Sequence, residues 1–226
     1  LLYDNNSAFQ NARTAATNRG FAYTLANSAN FDALLNSQAW DVVVMDMPST
    51  EPTGPWQTSL ANHIAAGRRA IHTHWNSGSL TAPLQDAFDI TAGTTHDTLT
   101  FWRWNAHPLY TAPETVPDPF DVWSDIWGTN GFRLEVQPAS GGVAAAGFTS
   151  TPMANQAAIV IGNSGRTIFN GFVFDDYDPA NKDADAKKDI VELIENEIAY
   201  VCGSVSQGPT PTPTASTLPA DLSITK

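Results

Sequence analysis

The hydrophobic residues of this chain fall into short runs separated by polar turns. Val42 to Met45 is an unbroken apolar run, which favours a strand buried on both faces of a parallel sheet. We therefore predict a central strand at 41–46. Similar runs predict strands at 1–3, 23–26 and 69–74. Polar residues, including Asp46, follow the central strand at its carboxyl end, which is where ligands bind in open α/β sheets.

Apolar residues spaced three or four positions apart predict a helix after each of these strands. The predicted helices lie at 7–18, 31–37, 56–66 and 80–88, and a last one lies at 187–201. This alternation of strands and helices is typical of the α/β class. The predicted fold is a doubly wound, mostly parallel, flavodoxin-like sheet.

The second half of the chain differs from the first in composition and in the periodicity of its apolar residues. Residues 94–130 are rich in Trp, Pro and Asp and show weak periodicity, so we expect an irregular insertion there. Strands are predicted at 133–136 and 143–148. The Gly-Asn-Ser-Gly sequence at 162–165 separates two apolar runs and predicts a late antiparallel hairpin.

Composition divides the chain into three parts. Residues 1–202 form the expected α/β domain, and 203–219 are a Pro/Thr-rich stretch that predicts an extended linker. Residues 220–226, ADLSITK, resemble the opening strand of the immunoglobulin-like conserved repeat of bacterial surface proteins. We therefore expect an excerpt of a long, secreted or cell-surface bacterial protein. Its expected partners are neighbouring domains of the same chain or other copies of it.

Charge and cysteine content exclude several function classes. The chain has 11 basic and 23 acidic residues, a net charge of −12, and this balance argues against nucleic acid as a partner. No apolar run approaches the roughly 20 residues of a membrane helix, so membrane insertion is not expected. Cys202 is the single cysteine, which excludes an internal disulfide framework and a Cys-based zinc site.

Several motifs in order along residues 1–202 resemble a known family. They are WDVVVMD at 40–46, GRRAIHTH at 67–74, HPLY at 107–110, GNSGRTIFNGF at 162–172 and a closing DDYD before the last helix. Their order resembles the class I glutamine-amidotransferase-like fold, and within it the trehalose-utilisation-type domains.

The resemblance implies a fold without the family's activity. In true amidotransferases a Cys nucleophile follows the strand that here ends at His74 and Trp75, and this chain has no Cys there. Nor does it contain the G-x-S-x-G sequence that could supply a serine nucleophile. Amidotransferase activity is therefore not expected.

The strand ends carry the first candidate site. His72 and His74 are two residues apart on a strand, so both point to one face, and Asp46 ends a neighbouring predicted strand. Two imidazoles and a carboxylate could bind zinc or serve as a base with its orienting group. Alternatively, one histidine is a hydrogen-bonded core residue and the other packs against a helix.

Two further candidates lie outside the sheet. Trp102, Trp104 and His107 suit stacking on sugar rings, although the alternation of the two tryptophans equally suits burial. A candidate calcium loop has the oxygen ligands of an EF-hand but lacks the required glycine. Its ligands would be Asn181, Asp183, Asp185 and Glu192. Carboxylates at the start of a helix also stabilise its dipole, which is the structural alternative. Asn5 begins a formal glycosylation sequon.

The sequence thus predicts a non-catalytic structural or recognition module without a cofactor, with carbohydrate or protein as its expected ligand. The alternative is a hydrolase-like or metal-dependent enzyme that uses His72, His74 and Asp46, with zinc or calcium as its metal.

Overall fold

The structure is a computed structural model, and it describes residues 1–4, 10–47, 50–74, 76–96, 100–121, 131–136, 141–172 and 185–203. The predicted linker and repeat start, beyond residue 203, lie outside the described residues, as does Asn5. Within the described ranges, no helix is both long enough and apolar enough to cross a membrane.

The described strands form one mixed sheet. They are β1 (Leu2–Asp4), β2 (Leu25–Ala26), β3 (Val42–Met47), β4 (Arg69–His74), β5 (Ile90–His96), β6 (Thr100–Arg103), β7 (Phe120–Asp121), β8 (Gly131–Val136), β9 (Val143–Gly147), β10 (Ala157–Gly162) and β11 (Thr167–Asn170). Their order is β2-β1-β3-β4-β11-β10-β9-β6-β7, and β8 joins β5 to β10. The strands from β2 to β11 in this order are parallel, and antiparallel pairs extend the sheet beyond them.

Helices cover both faces of the parallel part. They are α1 (Asn11–Asn18), α2 (Phe31–Ser37), α3 (Trp56–Ala65), α4 (Ala82–Ala87) and α5 (Asp189–Val201). Apolar side chains of α1 and α5 share one core cluster with Val44 and Ile71. Those of α2, α3 and α4 share the other cluster with Val43 and Met45. Successive residues of β3 therefore serve opposite cores, and the doubly wound α/β class is confirmed.

The predicted late hairpin is confirmed and joins β10 to β11. Asn163 and Ser164 adopt φ values of 50° and 56°, and Gly165 follows at 84°. Asn163 tolerates this left-handed backbone because its side chain donates a hydrogen bond to the Ala87 carbonyl at 2.7 Å. Its backbone N–H donates to Asp89 Oδ2 at 2.9 Å, so the turn is tied to the loop after α4.

The insertion is more regular than its sequence predicts. Strands β6 and β7 lie within residues 94–130, and β6 extends the sheet by pairing with β9. Strand β5, ITAGTTH, was not predicted because small and hydroxyl side chains give it little apolar alternation. Strand pairing across the sheet therefore overrides weak local propensity in this region.

Helix α5 is buried along its whole length, although it carries several carboxylates. It lies between the parallel strands, α1 and the turn at 108–110. Asn196 ties it to the chain that follows this turn. The Asn196 Nδ2 donates to the carbonyls of Leu109 and Glu114 at 3.0 and 2.9 Å, and its Oδ1 accepts the Glu114 N–H at 2.8 Å. The insertion is thereby fixed onto the last helix.

Gly147 and Trp104 provide a test of packing in the antiparallel part. A Cβ at Gly147 would lie 1.8 Å from Cζ2 of Trp104, whose indole N–H is held by the Thr149 carbonyl at 2.8 Å. We expect Gly147→Ala to lower the free energy of unfolding by roughly 1–3 kcal/mol, measured by denaturant titration. In the Gly147→Ala, Trp104→Ala double variant the loss should be smaller than the sum of the single losses. Additive losses would contradict the close contact.

Candidate functional site

Four polar side chains form a row across the carboxyl ends of the parallel strands. Asp4 pairs in register with Asp46, Asp46 with Thr73, and Thr73 with Asn170. All four are buried. Asp46, Thr73 and Asn170 each follow, two positions later on the same strand, a residue of the core cluster that α1 and α5 share. Side chains two positions apart on a strand point to the same face, so the row faces α5. We call these four residues the polar row.

The two histidines lie on the other face of the same strand ends. His72 pairs in register with Met45, and His74 pairs with Met47, whereas Asp46 pairs with Thr73. Asp46 therefore does not lie on the same face as the histidines, as the alternative site of His72, His74 and Asp46 would require. Asp46 points toward α5, while the histidines point toward α3 and α4, because successive residues of a strand alternate between faces.

His72 is enclosed by aromatic rings. Its ring centroid lies 5.9 Å from that of Trp56, 5.8 Å from Phe88 and 5.2 Å from Phe169. Its Nδ1 lies 3.2 Å from the Met45 carbonyl, while Nε2 has no hydrogen-bond partner within the described ranges. Burial lowers the pKa of His72 to about 4, and the hydrogen bond to Met45 opposes this only in part. At neutral pH the side chain is an uncharged part of the core.

His74 lies nearer the loops but is also buried. Its Nδ1 accepts the Asn76 backbone N–H at 2.8 Å, which leaves the ring proton on Nε2. That nitrogen is 4.0 Å from Oε1 of Glu51. Burial, with a smaller contribution from His72, holds the pKa of His74 well below its usual range, so the pair with Glu51 is not an ion pair at neutral pH. His74 thus holds the backbone of Asn76, in the turn that follows β4.

The polar row continues into α5 through one carboxylic acid. Asn170 Nδ2 donates to Glu197 Oε2 at 3.1 Å. Burial raises the pKa of Glu197 from 4.5 to about 8, and the bond from Asn170 opposes the shift. No described residue forms a hydrogen bond with Glu197 Oε1, Asn170 Oδ1 or Thr73 Oγ1. Glu197 is therefore mostly a neutral acid at pH 7, and the sequence offered no sign of it because it lies within an ordinary amphipathic helix.

The predicted aromatic ligand site is not one site. Trp102 and Trp104 are half-buried, and Trp104 packs on the α2–α4 core cluster. His107 lies on the α5 side instead, with its ring centroid 4.6 Å from that of Tyr200. The tryptophans therefore belong to the packing of β6 on β9, and His107 lines a separate cavity together with Arg103 and Tyr110.

The calcium ligands are only partly described. Asn181 and Asp183 lie outside the described residues. Asp185 Oδ1 accepts the Lys187 N–H at 2.6 Å, and Glu192 is buried in the first turn of α5. In the part of the chain that the structure describes, no three His, Cys, Asp or Glu side chains are grouped so that they could hold a metal ion.

Comparisons with known proteins show a fold and no more. No family model matches the chain, and no curated protein matches its sequence. A Thermoplasma acidophilum protein described as a candidate GMP synthase component is similar in structure, with a TM-score of 0.55 and 10% identity, over 90% of this chain and 94% of that one. The N-terminal domain of mmIFT52 has a TM-score of 0.55 and 11% identity, over 89% of this chain and 96% of that one.

A third similar structure is a larger enzyme. The α-L-fucosidase isoenzyme 2 of Paenibacillus thiaminolyticus has a TM-score of 0.54 and 14% identity over 86% of this chain. This chain spans only 29% of that protein. At these identities the likeness concerns architecture, so the amidotransferase-like fold is confirmed and no activity follows from it.

Glu197 makes stability depend on pH in a defined direction. The folded protein retains the proton of this carboxyl up to about pH 8, whereas the unfolded chain releases it near 4.5. The free energy of unfolding should therefore fall as pH rises through this window, by about 5 kcal/mol in all. Glu197→Gln removes this fall, so the difference between wild type and variant, from urea titrations at pH 5 and pH 8, isolates it.

Glu51→Gln, which removes a carboxylate from an exposed position, is the matched control. Parallel curves for wild type and Glu197→Gln across the window would show that Glu197 is ionised in the folded protein.

Proposed function

We propose that this chain is a non-catalytic recognition module of a secreted or cell-surface multidomain protein. The observation that carries the proposal is the enclosure of His72 by Trp56, Phe88 and Phe169. An enzyme needs reacting groups that converge in an accessible cleft. Here the face of the strand end that bears the histidines is filled by aromatic packing, and Asp46 lies on the opposite face.

The position of the thiol supports the same conclusion. Cys202 lies just beyond α5 and lines a cavity with Leu1, Val42 and Arg69, at the amino ends of the parallel strands. In doubly wound folds, ligands bind at the carboxyl ends. Burial raises the pKa of the Cys202 thiol, which reduces the thiolate fraction needed for nucleophilic attack. These features argue against a displaced amidotransferase nucleophile.

The wider setting rests on sequence features. The Pro/Thr-rich stretch at 203–219 and the repeat-like ADLSITK at 220–226 support a modular surface protein in which this domain is spaced from its neighbours. Neighbouring domains, other copies of the chain and carbohydrate are its proposed partners. Within the amidotransferase-like fold, the motif order supports kinship with the trehalose-utilisation-type domains.

His72 tests whether the histidines are structural. We expect His72→Phe to retain the fold, because the neighbouring rings are aromatic and the unpartnered Nε2 is removed. His72→Ala should cost roughly 1–3 kcal/mol of unfolding free energy through lost packing, as measured by denaturant titration.

The His72 variants also carry a pH signature. The pKa of the buried imidazole is about 4, below its usual 6.5, so its neutral form is favoured by folding and wild-type stability should decline as pH falls through this range. His72→Phe should weaken this decline. If His72→Ala were as stable as wild type, the packing role of His72 would be contradicted.

Activity provides a second, independent check. Purified chain incubated with glutamine should release no more ammonia than buffer alone, because no cysteine follows the strand that ends at His74. Cys202→Ser is the control variant. Ammonia release by wild type that is lost in Cys202→Ser would overturn the non-catalytic proposal.

A further inference from the structure

The end of β6 and the chain that follows it line an open cavity. Its lining includes Arg103, Asn105, His107, Tyr110 and Thr111, and its volume is about 320 Å³. This volume lies at the small end of the range for sites that bind small molecules. The cavity is distinct from the polar row, because it lies in the insertion and not at the ends of the parallel strands.

Arg103 gives the cavity one positive charge. Its guanidinium lies over the ring of Tyr110, with Cζ 5.0 Å from the ring centroid. The buried Nε of Arg103 has no hydrogen-bond partner in the described parts of the chain. No ion pair of this guanidinium is present among the described residues, although the chain as a whole is strongly acidic. A buried cationic N–H without an acceptor is costly, and a ligand oxyanion would remove that cost.

The other groups of the cavity are neutral. His107 Nδ1 accepts the Leu109 N–H at 3.2 Å, so Nε2 carries the ring proton and acts as a donor. Among the residues that the structure describes, Asn105 Oδ1 and the hydroxyl of Tyr110 have no hydrogen-bond partner. Tyr110 as a residue is only 1% exposed. The Asn105 amide nitrogen is already used, because it donates to the Ala144 carbonyl at 2.9 Å. The cavity thus offers both a donor and an acceptor to neutral hydroxyl groups.

We propose that this cavity binds a small hydroxylated carboxylic acid of the sugar-acid type. The ligand carboxylate pairs with the Arg103 guanidinium, and its hydroxyls bond to Asn105, His107 and Tyr110. A single guanidinium matches a single carboxylate. Neutral sugars leave the charge of Arg103 unpaired, and multiply charged anions exceed the one cation present. This assignment rests on the proposed recognition role and specifies the ligand class.

The first test compares three probes by isothermal titration calorimetry. Glucuronate presents a carboxylate together with hydroxyls. Glucose presents hydroxyls alone, and inorganic phosphate presents an oxyanion alone. We expect glucuronate to bind at least about tenfold more tightly than either of the others. Equal binding of glucuronate and glucose, tighter binding of phosphate, or no binding of glucuronate would overturn the assignment.

Variants locate the binding within the cavity. Arg103→Gln should reduce glucuronate affinity at least about tenfold, whereas Arg19→Gln, which removes an exposed arginine elsewhere, should leave it unchanged. Because Arg103 also packs on Tyr110, a matched pair at the exposed rim residue Thr111 avoids disturbing the fold. Thr111→Glu adds a repelling charge and should weaken binding, and Thr111→Gln should not.

Equal glucuronate affinity in the two Thr111 variants would place the binding site elsewhere and overturn the proposal. Such a failure leaves the non-catalytic role intact, because the His72 variants and the glutamine assay test that role without any ligand.

Discussion

The polar side of α5 is the constraint on which the rest of the structure depends. A helix buried over its whole length has to satisfy its amides and carboxylates within the protein, because water does not reach them. Asn196 bonds to the insertion, and Glu195 accepts from Asn18 at the end of α1 and from Lys187. Glu197 bonds to β11. These bonds join the parallel sheet, its outer helix and the insertion into one unit, and the insertion in turn shields α5 from solvent.

Strand register explains why the candidate triad could not be read from the sequence. The apolar runs predict which residues end the central strands, and these ends are confirmed. The unbroken run at 42–45 shows no alternation, so it does not reveal which face Asp46 occupies. That face depends on pairing: Asp46 lies opposite Thr73, and a slip of one residue would have placed it beside His72 or His74. Whether two strands are offset by an even or an odd number of residues is decided by tertiary structure, so no local sequence pattern reveals it.

The insertion shows a second limit of prediction from the sequence. Its polar strands and the cavity behind them arise from contacts between residues far apart in the chain, such as the pairing of Trp102 with Gly147. Aromatic content drew attention to Trp102 and Trp104, yet those rings are used for packing. Among the described residues, the polar atoms near this packing that lack a hydrogen-bond partner are Nε of Arg103 and Oδ1 of Asn105. Composition predicts which side chains are present, but only the folded chain shows which polar atoms are left unsatisfied.

The Asn196 carboxamide has a consequence for local unfolding. Irregular segments generally open easily and exchange their amide hydrogens fast. Glu114 belongs to such a segment, yet its N–H donates to a side chain of the most deeply buried helix. Its amide hydrogen exchanges only when the bond to Asn196 opens, so we expect slow exchange at this position. We therefore expect the loop and the last helix to open together, which would give a surface turn the kinetic protection of a core helix.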